Sequence, residues 1–169
     1  MRAAGGESFK RAPKGISAEI AEIRISDRPT VLALPFTFMN ESGSPVAGLA
    51  KYFSVPPEQV VVAHDDIDLP FAKLRVQHGR GSGGHNGVAS VVRSLGTEDI
   101  WRLKLGVGRP PGRMDPADFV LERFRSAERD TVDLMVVAAA DVIEVFAREG
   151  GEAAMQAAGE AARRITGIA

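Results

Sequence analysis

The hydrophobic pattern of the chain alternates between the periods typical of strands and of helices. Short apolar or alternating runs favour strands at residues 18–25 (where a short helix also fits), 30–34, 59–63, 74–76 and 101–107. Apolar residues at helical spacing predict helices at 88–95 and 127–148, and further helices are expected at 44–53 and after Gly151. The continuous apolar runs at 30–34 and 59–63 are expected to be buried strands. This alternation predicts an α/β fold with a mixed twisted sheet flanked by helices.

Length and composition narrow the class of protein. The chain has 169 residues and no cysteine, which suits a single domain spanning residues 1–169 without disulfides or thiol chemistry. Residues 1–17 lack periodicity and are expected to be poorly ordered. The sequence shows neither an apolar signal core nor a run near the ~18 residues of a membrane span, so a cytoplasmic location is expected. Because the net charge is −1, a site for a polyanion must be a local patch.

A glycine-rich loop separates the strand at 74–76 from the helix at 88–95, with glycine at positions 79, 81, 83, 84 and 87. Its last turn carries His85 and Asn86, and asparagine is a good N-cap for the helix that follows. Glycine also lets a ligand approach the backbone closely. The loop is therefore either a capped turn or a ligand-binding loop.

The same loop matches a dinucleotide-binding pattern, Gly79-x-Gly81-x-x-Gly84. That pattern requires an acidic residue at the end of the following strand, where it would bind ribose. The acidic candidates, Glu98 and Asp99, precede that strand instead. A nicotinamide or flavin cofactor is therefore not expected.

Three polar clusters are expected beyond strand ends, where α/β sheets bind ligands: Phe38-Met39-Asn40, His64-Asp65-Asp66-x-Asp68 and His85-Asn86. The second cluster could bind a metal, orient a histidine base, or form a turn capped by aspartates. Asn40 is either a turn residue or a neutral donor to a developing oxyanion. Six basic residues form either a solvated rim or a phosphate-binding patch: Arg75, Arg80, Arg102, Lys104, Arg109 and Arg113.

Five motifs in order closely resemble the bacterial type of peptidyl-tRNA hydrolase: F-M-N-E-S-G at 38–43, H-D-D-I-D-L-P at 64–70, G-G-H-N-G at 83–87, L-G-V-G-R-P at 105–110 and D-P-A-D-F-V-L at 115–121. The resemblance implies hydrolysis of the ester between a peptide and the 3′ ribose of tRNA, without a metal or other cofactor. It implies a monomer that binds the acceptor stem and 3′ end of peptidyl-tRNA. Asp65 would hold the catalytic histidine in its basic form, and Asn40 would position the attacking water and the substrate.

The resemblance also implies the residues that bind the substrate. Phe38 and Met39 would line the pocket, and His85 and Asn86 would contact the substrate near the scissile ester. Lys104 would contact a tRNA phosphate. Where the family usually has a second phosphate-binding lysine this chain has Gln77, and Arg80 could substitute for it.

The opening segment of the family has no counterpart in this sequence. That segment contains a central strand, a G-L-G-N-P-G loop and a T-R-H-N segment with the histidine base, so two strands are expected to lack a neighbour and to expose apolar faces. An oligomer that covers these faces is an alternative to the monomer. Three hypotheses follow: a hydrolase whose start lies further upstream, a non-catalytic protein that binds tRNA or another partner, or a hydrolase in which His85 or His64 has become the base with Asp65 as its partner.

Overall fold

The structure, a computed structural model, describes residues 8–167. The strands are β1 (Lys10–Arg11), β2 (Ala18–Ile25), β3 (Arg28–Pro35), β4 (Val61–Asp66), β5 (Leu74–His78) and β6 (Trp101–Gly106). The α-helices are α1 (Gly43–Tyr52), α2 (Asn86–Leu95), α3 (Pro116–Phe119), α4 (Arg129–Glu149) and α5 (Gly151–Thr166). The contacts divide these elements into two compact units. Unit 1 contains residues 8–61 and 78–101, and unit 2 contains residues 62–77 and 102–167. The expected single domain stays a prediction.

The first sheet is antiparallel and has the strand order β1-β2-β3. Its central strand β2 has the predicted bounds and buries most of its side chains, and a turn at Ser26 and Asp27 leads directly into β3. Lys10 pairs with Ile20 in the ladder between β1 and β2. The expectation of poor order for residues 1–17 is therefore wrong for residues 8–17, since β1 adds an edge to this sheet, and residues 1–7 lie outside the described part.

The helices of unit 1 pack on each other at a point where glycine allows close approach. Gly43 begins α1, and its N–H donates to Ser90 Oγ on α2 at 3.0 Å. A Cβ added to Gly43 would collide with the carbonyl oxygen of Ser90. The other end of α1 buries Leu49 against Ala18 and Ile20 of β2. The glycine of F-M-N-E-S-G is thus required by the crossing of two helices.

The second sheet has the order β4-β6-β5 and is mixed. The N–H of Trp101 donates to Val60 O at 2.9 Å and that of Val107 to Asp66 O at 3.1 Å. Because the two bonds have the same offset, β4 and β6 run parallel. Between β5 and β6 the bonded residue numbers add up to the same sum instead. Gly106 N donates to Lys73 O at 2.8 Å, and Gly79 N donates to Ile100 O at 3.0 Å. These two strands are therefore antiparallel.

Both strands that were expected to be buried lie at the edges of their sheets. β3 ends the first sheet and β4 begins the second. Leu34 is 39% exposed and Phe36, just after β3, is 61% exposed. The prediction of buried strands is therefore wrong, because a continuous apolar run also occurs here in strands at the edge of a sheet. β3 exposes apolar side chains at the edge of its sheet, and the expectation that two strands lack a neighbour stays a prediction.

Unit 2 ends in a helical hairpin. α4 and α5 pack against each other, and α4 buries Met135, Ala139 and Val142 as the predicted apolar face requires. Val136, the apolar residue next to Met135 in the same helix, is 44% exposed. Gly150 (φ 91°) ends α4 and Gly151 begins α5, as the glycine pair predicted.

The fold class is α/β, with one antiparallel and one mixed sheet flanked by helices. Each strand and helix predicted from the hydrophobic pattern is present, with ends displaced by a few residues at most. Among residues 8–167, no helix is long and apolar enough to cross a membrane.

We expect Gly43→Ala to destabilise the protein, because the added methyl group would meet backbone atoms of α2 that cannot rotate away. The free energy of unfolding should fall by about 1–3 kcal/mol, the usual range for overpacking. Urea unfolding followed by circular dichroism measures it. Gly159→Ala is the control: it lies within α5 where a Cβ meets no neighbour, and it should raise the free energy of unfolding by about 0.4–1 kcal/mol. Equal effects of the two substitutions would contradict the close crossing.

Candidate active site

Two of the three predicted polar clusters meet in unit 1. A single turn of 3₁₀-helix (Met39–Glu41) follows β3 and contacts the start of α2. A Cβ added to Gly87 would lie 2.5 Å from Met39 Sδ and 3.1 Å from His85 Cε1. Gly87, the last glycine of G-G-H-N-G, is therefore needed for the side chain of Met39 to lie against α2. Residues 38–41 and 85–87 are called the loop pair from here on.

His85, rather than Asn86, is the N-cap of α2. Its Nδ1 accepts a hydrogen bond from the N–H of Val88 at 3.2 Å, whereas Asn86 is the first residue of the helix. The prediction that Asn86 caps the helix is therefore wrong by one position. Histidine is not among the usual N-cap residues. Its ring can accept a backbone N–H only through a nitrogen that carries no proton.

This cap fixes the chemistry of His85. Since Nδ1 accepts the N–H of Val88, the proton of the neutral ring is on Nε2. In this form Nε2 donates a hydrogen bond and cannot take a proton from water. The geometry thus argues against His85 as a general base.

The loop pair presents hydrogen-bond donors near the positive end of a helix dipole. His85 carries Nε2–H, and Asn40 and Asn86 carry exposed amide groups. Phe38 and Met39 expose apolar surface beside them. Neutral donors at a helix N-terminus suit a substrate with carbonyl or phosphate oxygens.

The third cluster belongs to unit 2. Its first three residues lie within β4 rather than after it, and Asp68 lies in the turn that follows. β4 extends to Asp66 because the carbonyl of that residue still accepts from Val107 of the next strand. His64 is buried, and its Nδ1 is 2.6 Å from Asp65 O. A carbonyl only accepts, so Nδ1 of His64 carries a proton. Asp65 is partly buried on the same strand.

Asp66 organises the loop after β4. Its Oδ1 accepts from the N–H groups of Asp68 (2.8 Å) and Leu69 (3.1 Å), and its Oδ2 is 2.5 Å from Lys104 Nζ. Burial alone would raise the pKa of Asp66, but the hydrogen bonds from Lys104 and Asp68 and the charges of Lys104 and His64 together lower it. The aspartate-capped turn is therefore present, with Asp66 as its acceptor.

Asp66 has a larger structural role than the sequence indicates, because it both caps the turn and pairs with Lys104. In H-D-D-I-D-L-P an aspartate precedes two backbone N–H groups at the spacing of an Asx-turn. That signal was sufficient to single out Asp66 for the turn. Its ion pair with Lys104 depends on the parallel pairing of β4 with β6 and carries no sequence signal.

The six predicted basic residues do not form one patch. Arg102 is 1% exposed, so its assignment to a surface rim or patch is wrong, because it lies within the central strand of the second sheet. Lys104 is 16% exposed and is paired with Asp66. Arg109 pairs with Asp68 at 2.5 Å. The remaining three are exposed: Arg75, Arg80 and Arg113.

Asn40, His85, Asn86 and Arg80 belong to unit 1, whereas Asp65 and Lys104 belong to unit 2. The assigned roles of all these residues stay predictions. In the described part of the chain, no group of three or more histidine or acidic side chains is arranged to hold a metal ion.

Comparison with known proteins points to one family. The family profile described as peptidyl-tRNA hydrolase matches residues 2–165. The chain is 53% identical to the peptidyl-tRNA hydrolase of Rhodococcus opacus over 143 residues, which cover 85% of this chain and 75% of the relative. For that of Mycobacteroides abscessus the identity is 53% over 154 residues, covering 91% and 78%. The structure is similar to that of Acinetobacter baumannii peptidyl-tRNA hydrolase, with a TM-score of 0.81 at 28% identity, covering 91% and 78% of the two chains.

The lowered pKa of Asp66 predicts an acid-dependent contribution to stability. The contribution is complete at pH values above the ordinary pKa of an aspartate and is lost as the pH falls through the lowered pKa. Asp66→Asn should therefore lower the free energy of unfolding by about 1–3 kcal/mol at neutral pH. The difference from the unaltered chain should shrink below about pH 4. Urea unfolding at a series of pH values measures it, with the exposed Asp141→Asn as control. A deficit that does not change with pH would show that the charge of Asp66 is not what stabilises this turn.

Proposed function

The chain belongs to the peptidyl-tRNA hydrolase family, and we propose that it binds the 3′ end of peptidyl-tRNA at the loop pair of unit 1 and slowly hydrolyses the ester there. The observation that carries the proposal is the contact of the Met39–Glu41 turn with the start of α2. It gathers two of the family's motifs, F-M-N-E-S-G and G-G-H-N-G, at one place. The site also offers the donors that an ester carbonyl requires.

The reaction is the attack of water on the ester carbonyl. The oxygen of water bonds to the carbonyl carbon and the carbonyl oxygen becomes an oxyanion. The carbonyl then re-forms, the bond to the 3′ oxygen of ribose breaks, and a proton given up by the water ends on that oxygen. The products are the free peptide and the tRNA. Nε2–H of His85 and the amide groups of Asn40 and Asn86 would donate to the oxyanion, and the α2 dipole would add a partial positive charge.

We expect a slow rate because of the contacts made by the three histidines of the chain. His85 presents a donor, His78 is 2.6 Å from the carboxylate of Asp99, and His64 is buried within β4. Within the loop pair itself the one histidine, His85, presents a donor rather than a base. General-base catalysis typically contributes about 10²–10⁴ in rate, so donors alone would leave a weak activity.

The wider partner assignments rest on the family's motifs. Arg80, an exposed residue of the glycine-rich loop, would take the phosphate contact for which Gln77 lacks the charge. Lys104 would contact phosphate only if its pairing with Asp66 allowed it. Asp65 would orient a base, and a cytoplasmic monomer acting in translation is part of the same proposal.

We expect Gly87→Ala to weaken substrate binding while leaving stability nearly unchanged. The added Cβ would displace the flexible, exposed side chain of Met39, which costs little, but would move it from its place against α2. The affinity for N-blocked aminoacyl-tRNA should fall roughly fivefold to tenfold, about 1 kcal/mol of binding free energy. Filter binding at low salt measures the affinity, with Gly159→Ala as control. Unchanged affinity would place the substrate away from the loop pair.

The activity itself is tested by the cleavage of N-blocked aminoacyl-tRNA with the purified 169-residue chain. The rate should exceed the uncatalysed reaction and be about 10²–10⁴ lower than that of the Rhodococcus opacus relative measured alongside. Asn40→Ala should lower it further, by about 10²–10³ if Asn40 donates to the oxyanion. The control is Gln156→Ala on α5, an exposed amide in the other unit.

The other outcomes of that experiment separate the alternatives. A rate equal to that of the relative would contradict the proposed slow rate, and its loss in a His64→Gln, His85→Gln double variant would show that at least one of these two histidines is needed for it. Salt-sensitive binding of tRNA without cleavage would identify the non-catalytic alternative. Absence of binding at low salt would refute the proposed function.

A further inference from the structure

Residues 98–100, between α2 and β6, hold the first half of the glycine-rich loop. Glu98 Oε2 accepts from the N–H of Gly81 at 3.1 Å, and the carbonyl of Ile100 accepts from the N–H of Gly79 at 3.0 Å. Between these two, Asp99 Oδ1 is 2.6 Å from Nε2 of His78. Three consecutive residues thus bind three positions of the four-residue stretch 78–81.

This support matters because the backbone of the loop is unusual. Residues 79, 80, 81, 83 and 84 all have positive φ, and Arg80, which has a side chain, has a φ of 62°. Left-handed conformations of a residue with a Cβ persist where the surroundings fix them. The bonds within the loop lie in its second half, from His85 N to Ser82 O (3.2 Å) and from Gly84 N to Ser82 Oγ (3.3 Å).

The ring of His78 is fixed from two directions. It stacks on Trp101 with ring centroids 4.3 Å apart and planes inclined by 23°, and its edge points to Asp99. A carboxylate only accepts, so Nε2 carries a proton. The side chains of His78 and Asp99 are 43% and 54% exposed, and an exposed pair contributes little by itself. The stack on Trp101 and the two backbone bonds reinforce it.

We propose that Glu98 and Asp99 are positioning residues that hold the glycine-rich loop in the shape in which it presents His85 and Asn86 to peptidyl-tRNA. This inference rests on the proposed function for its ligand. The two acidic residues act through the loop and do not touch the substrate. They are the same pair whose place in the sequence excluded a role in binding ribose.

Whether the variants at residues 98 and 99 bind tRNA more weakly or more tightly distinguishes a positioning role from a simple effect of charge. Removing a negative charge should by itself strengthen the binding of a polyanion. Glu98→Ala and Asp99→Ala should instead weaken it, roughly threefold to tenfold, as expected for the loss of a hydrogen bond. Glu58→Ala and Asp27→Ala remove the same charges elsewhere in unit 1, at exposed positions, and should bind equally or more tightly.

Conservative variants distinguish a lost hydrogen bond from a lost charge. Glu98→Gln and Asp99→Asn also remove one charge each, yet both keep an oxygen that accepts a hydrogen bond. We expect them to regain most of the affinity that the alanine variants lose. If the alanine and amide variants bind tRNA alike, or if both bind as tightly as the controls, the positioning role is refuted.

Two readouts without tRNA test the loop itself. Amide hydrogen exchange at Gly81 should accelerate in Glu98→Ala and stay slow in Glu98→Gln. Trp101 is the sole tryptophan of the chain, so its fluorescence reports the stack with His78 and should change in Asp99→Ala but not in Asp27→Ala. If the unaltered chain binds no tRNA, the proposed function fails while these two measurements still decide whether residues 98 and 99 hold the loop. Unchanged exchange and fluorescence would overturn the inference.

Discussion

The arrangement of the site depends on one close contact, that of Met39 with the first turn of α2. The contact exists because residue 87 has no side chain, so Met39 Sδ can lie where a Cβ would stand. At the same point His85 uses Nδ1 to cap the helix. Gly87 therefore allows two loops that are distant in sequence to meet. The hydrogen bond from Val88 to Nδ1 leaves Nε2 as the nitrogen of His85 that donates. Packing, helix capping and chemistry are coupled within a single helical turn.

Much of the fold was predictable because its signals are local. The period of apolar residues located α2 and α4, and the glycine pair at 150 and 151 marked the break between the last two helices. The motifs then identified the family, since five short segments in a fixed order are specific as a set. The loop pair could be named from those motifs alone. What the sequence could not supply was its geometry, such as which of two adjacent polar residues caps the helix.

The errors share a physical cause, which is that burial and pairing are decided by residues distant in the chain. Thr30–Leu34 has the composition of an interior strand, yet β3 ends its sheet and Leu34 is exposed. Arg102 has the composition of a surface residue, yet it is enclosed in the middle strand of the other sheet. The pairing of Lys104 with Asp66 likewise depends on the neighbouring parallel strand, and its expected contact with a phosphate stays a prediction. In each case the neighbouring strand, rather than the local sequence, determines the environment.

The most direct test of the account is where the scissile end of the substrate binds. An adenosine that carries an N-blocked aminoacyl group through a 3′ amide cannot be hydrolysed, and its binding can be followed by two-dimensional NMR of the ¹⁵N-labelled chain. The account predicts that the largest shifts occur at the backbone amides of Met39, Asn40, Asn86 and Gly87, with little change in α4 and α5. Shifts confined to the α4–α5 hairpin, or an unperturbed loop pair at saturation, would contradict it.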